Sequence, residues 1–474
     1  MTARPTFGRA LVVAAYALLG AALLLSRLVG LGKSYWFDEL YFVDYFVRNG
    51  GPHEILAGDH LSHELYGLLD WMTAAALGES EIAFRLWSAV PFVVGVAVVT
   101  VWLHRRLDPL AGLLFLFLAT VSPLLLDVSR QARGYGLAFF AMAALIVAAL
   151  EANRTGRKWA VVAMCAAGIV GTWTLPQFGL AFVAILVVLL IDHRLRRPVA
   201  VGLFVSVAAI VAWYAPHVRQ VRAASQVDTG AIQISTAWLV TAPIDQILLP
   251  GLIWIEGRNL VASAAWLPFV LLAALVIASS PLLRERDSAF LLCSGPVVTI
   301  GALWITNAYV APRYLSFLLV PLFILVASGA STILAQIPAR RAIVRTAVCL
   351  IVIGALVFHF ASLAPDVVRL PREANRDAAE IIEKRAPPAT PLFGTLKHPN
   401  SIEFYLERPI RVLHWSEVVP RVCNSDRPLV YVMQPWAVTL VDVPCLERPG
   451  VEHYRYEQYA RGDEMNVWFV PPGT

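Results

Sequence analysis

Charge is scarce in this chain. Of 474 residues only 15% are Asp, Glu, Lys or Arg, against about 25% in an ordinary soluble domain. Hydrophobic residues make up 58%, and mean hydropathy is +0.66. A soluble core cannot hide that much apolar surface, which excludes a soluble globular enzyme and a disordered protein. Five cysteines, with no CxxC or Cys/His zinc pattern, exclude a disulfide-rich secreted module. The apolar/polar alternation of a membrane barrel is missing as well. No phosphate-cradling GxGxxG turn follows a strand, and there is neither an internal repeat nor a low-complexity stretch.

What the chain does have is apolar runs of about bilayer length. They fall at residues 10–31, 86–103, 110–126, 136–150, 159–175, 178–191, 199–216, 262–283, 289–306, 315–334 and 347–363. The expected fold class is therefore an all-α polytopic membrane protein with about eleven transmembrane helices. Arg4 and Arg9 precede the first run, and no A-x-A-like site closes it, so it reads as an uncleaved span.

The net charge of +5 fits basic cytoplasmic loops better than nucleic-acid binding. Arg105 and Arg106, Arg154 to Lys158, Arg194 to Arg197, Arg284 and Arg286, and Arg340 to Arg345 fall at alternate connections, on the side of Arg4 and Arg9. Those connections read as cytoplasmic, and an odd number of spans leaves the C-terminus outside. The preponderance of Arg, Ala and Val hints at GC-rich bacterial coding.

Two domains are expected. Residues 1–363 form the transmembrane part, with an outer loop at 32–84. Residues 364–474, rich in Pro, Glu, Arg and Asp, form a small extracytoplasmic α/β domain. There Asn375–Arg385 has a helical pattern, and 391–395, Leu429–Met433 and 467–470 read as strands. Cys423 and Cys445 are the two cysteines of that tail, and an oxidising compartment lets them pair. Cys165, Cys293 and Cys349 sit in spans as small hydrophobes.

The informative stretch of the first outer loop is Ser34-Tyr35-Trp36-Phe37-Asp38-Glu39-Leu40-Tyr41. Two carboxylates among aromatics are costly at a poorly solvated surface unless partnered. Two readings fit: a general base that takes a proton from an incoming hydroxyl, or an interfacial helix with an acidic first turn and an aromatic belt. Farther on, Asp59, His60, His63, Glu64 and Tyr66 follow one another. If helical, Asp59 with His63 and His60 with Glu64 share a face, as ligands for a divalent metal or for polar substrate groups. Plain loop polarity is the alternative, and the zinc-protease spacing fails because Gly67 stands four after His63. Arg85, Arg130, Arg133 with Tyr135, and Arg313 with Tyr314 lie at outer span ends, against the positive-inside trend. Guanidinium pairs with phosphate explain them; snorkelling to headgroups accounts for one such Arg but less well for several.

WFDE after the first span, His63 with Tyr66, Arg85-Leu86, Arg133-Gly134-Tyr135 and Arg313-Tyr314 occur in an order that resembles the bacterial members of glycosyltransferase family 39 and the lipid A aminoarabinose transferases. The resemblance covers residues 10 to 334 and implies a GT-C fold using polyprenyl-phosphate-linked sugars outside the plasma membrane. It implies Asp38 as the catalytic base with Glu39 beside it, and Arg133 and Arg313 on the lipid phosphate. Asp59, His60, His63, Tyr66, Arg85, Arg130, Tyr135 and Tyr314 complete the expected substrate-binding set. Ser62 and Glu64 depart from the family pattern around His63. Mannose or a pentose such as arabinose is the expected sugar, with a protein, glycolipid or glycan acceptor. A divalent metal stays open as cofactor. The competing class is a polytopic lipid or glycolipid transporter, which calls for internal pseudo-symmetry or broken spans at midplane; the sequence has neither.

Overall fold

The computed structural model describes residues 9–57, 63–217, 274–305, 312–336, 354, 357, 374–396, 400–406, 408–433, 443–457 and 464–472. Its helices are α1 (Arg9–Leu28), α2 (Phe37–Phe42), α3 (Pro52–Ala57), α4 (Glu64–Leu77), α5 (Glu81–Arg106), α6 (Pro109–Val121), α7 (Pro123–Val128), α8 (Tyr135–Thr155), α9 (Lys158–Thr174), α10 (Phe178–Ile191), α11 (Arg196–Tyr214), α12 (Pro281–Arg284), α13 (Arg286–Ile305), α14 (Leu319–Gln336), α15 (Asn375–Arg385), α16 (Asn400–Leu406) and α17 (Trp415–Val418). Strands β1 (Leu392–Thr395), β2 (Arg411–Val412), β3 (Leu429–Met433), β4 (Glu452–Glu457) and β5 (Glu464–Val470) lie in the C-terminal part.

The chain divides into two compact units. One comprises Met1–Val29, Pro52–Glu79 and Ala83–Ala364; the other Gly30–Gly51, Ser80–Ile82 and Pro365–Thr474. The sequence assigns 32–51 to the loop of the membrane part, whereas this segment, with Asp38 and Glu39, clusters with the C-terminal residues.

In the first unit, five helices among the described residues are long and apolar enough to cross a membrane: Ala10–Leu28, Glu81–Arg106, Tyr135–Thr155, Arg196–Tyr214 and Arg313–Gln336, the last taking in the 3-10 turn before α14. Helices α6, α9 and α10 are apolar but shorter. The expected span at 110–126 is not continuous. Pro123 lacks the N–H that the helix needs, and Ser122 turns extended and caps α7 by accepting from the Leu125 amide at 3.3 Å. Most of the windows at 347–363 and 262–283, and the connection 218–261, lie outside the described residues.

The helices pack closely where glycine allows it. A Cβ on Gly136 of α8 would stand 2.1 Å from the Ser88 carbonyl oxygen of α5, and the Gly136 amide donates to Ser88 Oγ at 3.1 Å. One end of the bundle gathers the basic connections. There Arg106 pairs with Glu285 at 2.8 Å, Arg154 with Glu151 at 2.7 Å, and Arg194 donates to the Asn153 carbonyl at 3.3 Å.

The second unit holds a five-stranded sheet of order β2-β1-β3-β5-β4. Strands β2, β1 and β3 run parallel, while β5 is antiparallel to β3 and β4. Period-two alternation splits its core in two. Leu392, Val430, Val432 and Val467 pack with Ala378 and Ile382 of α15 and Ile402 of α16. Leu429, Tyr431, Trp468 and Val470 pack with Val418, Val422 and the cysteines, where Cys423 and Cys445 form a disulfide. The sequence anticipates α15, β1, β3 and β5. Strands β2 and β4 are missed because two residues, and the polar run Glu452–Glu457, carry no apolar pattern.

Candidate functional site

The expected site residues fall into the two units. In the first unit, the end of the bundle away from the basic connections holds a buried ring of polar aromatics. His63 immediately precedes α4 with φ +45°, the single positive φ of a non-glycine among the described residues. That conformation costs about 1 kcal/mol or more and is held only by its surroundings. Its imidazole is buried and stacks on Tyr314, with centroids 5.6 Å apart and planes 7° from parallel. It meets Tyr135 edge-on at 5.0 Å, and Tyr135 meets Tyr314 edge-on at 5.6 Å.

Arg133 is fully buried beside them. Its Nη2 donates to the Tyr314 hydroxyl at 3.2 Å, and its guanidinium carbon lies 5.9 Å from the Tyr135 ring centre. Gly134 makes the approach possible. A Cβ there would fall 2.4 Å from Thr174 Cγ2, 3.1 Å from His63 Nδ1 and 3.4 Å from Tyr66 Cβ. Tyr66 is buried and donates to the Phe84 carbonyl at 2.6 Å, next to buried Arg85. Arg313 is half-buried, with its guanidinium carbon 5.7 Å from the Tyr314 ring centre. The motifs Arg133-Gly134-Tyr135 and Arg313-Tyr314 thus meet the loop histidine, although 251 and 179 residues separate Tyr314 from His63 and from Tyr135.

Arg130 has a different environment. Its Nη1 donates to the Ser26 carbonyl at 2.6 Å, in the last turn of α1, where a cation complements the helix dipole. Arg27, which the sequence reading passed over, is fully buried nearby. It donates to the carbonyls of Ala119 at 2.8 Å and Thr120 at 3.2 Å. A lone Arg closing an apolar run was the available signal.

Glu64, which the sequence offers only as a face-sharing partner of His60, has a different setting. It is buried and accepts from the Trp213 indole N–H; Trp213 in turn stacks on Trp173 at 4.2 Å. Burial pushes its carboxyl up to about 8, against the smaller opposing effect of the Trp213 hydrogen bond. Asp59 and His60 lie outside the described residues. The pairs expected for Asp59 with His63 and His60 with Glu64 therefore fall partly outside them; of the described members, His63 is left-handed and α4 begins at Glu64. Among the described residues, no three His, Cys, Asp or Glu side chains are grouped to hold a metal ion.

In the second unit, Asp38 and Glu39 occupy the first turn of α2. Glu39 is buried, and its Oε2 accepts from the Trp36 amide at 3.2 Å, so it satisfies a helix-start donor. Asp38 is half-exposed. The segment before α2 is fixed within this unit: the Tyr35 amide donates to the Tyr405 hydroxyl at 2.8 Å, and Asn375 Nδ2 donates to the Tyr35 carbonyl at 3.1 Å.

No protein-family model matches the sequence, and no curated protein matches it significantly. Solved structures do. ArnT from Cupriavidus metallidurans in the apo state matches with a TM-score of 0.54 and 14% identity, over 97% of this chain and 98% of that one. ArnT bound to undecaprenyl phosphate gives 0.53 and 13%, over 98% of each chain. The archaeal oligosaccharyltransferase AglB from Archaeoglobus fulgidus, in complex with an inhibitory peptide and a dolichol-phosphate, gives 0.52 and 11%, over 90% of this chain and 70% of that one. At such identities the likeness establishes architecture: the chain has the GT-C fold of ArnT and AglB.

Proposed function

We propose that the protein is a membrane glycosyltransferase that moves a monosaccharide, mannose or a pentose, from a polyprenyl phosphate to an acceptor hydroxyl outside the bacterial plasma membrane. In this reading the N-terminus is cytoplasmic and the C-terminal unit extracytoplasmic. The observation that carries it is the complete burial of Arg133 among His63, Tyr135 and Tyr314, away from the basic end of the bundle. Arg133 and Arg313 both approach Tyr314 at this end of the bundle, and a guanidinium's planar fork fits a phosphate in a two-point contact. The lipid phosphates bound by ArnT and AglB support the same donor class here.

Asp38 is assigned as general base. It takes the proton of the acceptor hydroxyl as that oxygen attacks the anomeric carbon. The bond from that carbon to the phosphate oxygen breaks, the new glycosidic bond forms with inversion, and the lipid leaves as polyprenyl phosphate. Arg133 and Arg313 stabilise the growing phosphate charge without reorganising. Glu39 keeps the first turn of α2 in place through the Trp36 amide.

The test presents purified protein in nanodiscs with radiolabelled polyprenyl-phosphate sugars and, separately, nucleotide sugars. Transfer from the lipid donor is expected. Turnover with the nucleotide donor alone would refute the reading, and lipid binding without transfer to any acceptor would favour a glycolipid transporter.

A further inference from the structure

Helix α2 runs without a break into a π-helical turn, Val43–Arg48. Tyr41 and Tyr45 stack there almost in parallel, with centroids 5.5 Å apart and planes at 4°. Phe46, itself buried, braces both rings edge-on, at 6.0 Å from Tyr41 and 4.9 Å from Tyr45. Asn49 closes the turn, its Nδ2 donating to Asp44 Oδ1 at 2.9 Å. The stack is therefore held from below, yet Tyr45 is 55% exposed.

The placement is as informative as the stacking. Asp38 and Tyr41 stand three apart on α2 and so are neighbours on one helix face, and Tyr45 continues the stripe. π-helical turns are rare and frequent at functional sites; here the turn sets two phenol rings in register directly after the candidate base. An acceptor hydroxyl that reaches Asp38 brings the rest of its molecule over the next turn of that face.

We infer that Tyr41 and Tyr45 form a platform for a saccharide acceptor, whose ring stacks its C–H face on the phenols while its hydroxyl rim meets their O–H groups. Phenol rings offer an apolar face and a polar handle together, which matches a sugar ring better than an acyl chain. This inference rests on the assignment of Asp38 and narrows the acceptor to a glycan or the sugar part of a glycolipid.

The test measures binding of mannotetraose and arabinotetraose to the full chain in nanodiscs by saturation-transfer NMR and calorimetry. Tyr45→Ala is expected to weaken binding of at least one of them about tenfold, whereas Tyr45→Phe keeps it within about threefold. Tyr41→Ala should act in the same direction, and Tyr45→Ala should lower the thermal midpoint only modestly, by the loss of its contacts with Tyr41 and Phe46. Absence of saturable binding by the unmodified chain, or equal binding by Tyr45→Ala, overturns the platform. So does a Tyr45→Ala effect confined to partitioning of the protein into lipid vesicles, which would make the stack a membrane anchor. Donor affinity, measured on the same samples with a polyprenyl-phosphate sugar, separates the two readings. Tyr45-dependent sugar binding without donor binding leaves the platform and removes the transferase assignment; donor transfer without sugar binding does the reverse.

Discussion

Replacing Glu64 by Gln tests the electrostatics of the buried ring without touching a residue assigned to phosphate or proton transfer. The carboxyl begins α4 directly after His63, is 5% exposed, and accepts from the Trp213 indole. Burial raises it from 4.5 to about 8. Between those two values the folded chain holds a proton that the unfolded chain has released, so stability falls as pH rises and levels off above pH 8. At about 1.4 kcal/mol per unit, the loss between pH 5 and pH 7 is roughly 3 kcal/mol, and the full window is worth about 5 kcal/mol. Gln keeps an oxygen for the indole N–H but cannot ionise. Glu64→Gln should therefore abolish this part of the pH dependence and be more stable than the parent at pH 8. Glu64→Ala should lose the same pH dependence but lie about 1–3 kcal/mol below Glu64→Gln at every pH, because it strands the indole N–H. Thermal unfolding in detergent from pH 5 to 9, with the infrared carbonyl band of a protonated carboxyl followed in parallel, measures both effects. A parent protein whose stability does not fall over this range, or a Glu64→Gln variant that falls equally, would refute the reasoning.

Much of the architecture was legible because the bilayer imposes a coarse rule. Runs of about twenty apolar residues have to become helices, and α1, α5, α8, α10, α11 and α13 follow their windows closely. The break at Ser122 and Pro123 depended on one ring without an N–H inside an otherwise uniform run. Unit membership was not legible. The WFDE segment adjoins the first span in sequence, but Tyr35 is tied to Tyr405 and Asn375, and contacts across more than 300 residues leave no local pattern. The candidate site is legible as a set of residue types rather than as geometry. Arginines that break the charge bias marked Arg133, while nothing nearby in sequence announced that Tyr314 would stack on His63. Glu64 is legible as a polar partner of His60 and as a departure from the family pattern, but not as a buried carboxyl, because its burial depends on Trp213.

Asp38→Asn should lower transfer by roughly a hundredfold or more while leaving donor binding intact; near-normal turnover would move the base elsewhere. Glu39→Gln should cost less, since an amide oxygen can still accept from the Trp36 amide, and steady-state kinetics on both variants ranks them. Arg133→Ala and Arg313→Ala should each weaken donor affinity in titrations, with Lys restoring it only in part because it lacks the two-point contact; unchanged affinity in both would reduce them to interfacial anchors. Reduction of Cys423–Cys445 should destabilise the C-terminal unit by about 3 kcal/mol, read as a lower midpoint on adding reductant. The Gly134→Ala prediction tests the packing of the ring itself. The new methyl would lie 2.4 Å from Thr174 Cγ2, and that side chain cannot simply turn away, because its hydroxyl donates to the Val170 carbonyl at 2.8 Å. Overpacking of this kind costs about 1–3 kcal/mol, and relief by displacement would push His63 and Tyr66, the next atoms in line at 3.1 and 3.4 Å. Gly134→Ala should therefore lower both the unfolding midpoint and donor affinity. Adding Thr174→Ser, which deletes Cγ2 and keeps the hydroxyl, should restore much of the stability and part of the affinity. A fully tolerated Gly134→Ala, or a double variant no better than the single one, would mean that Thr174 does not set the spacing of this ring.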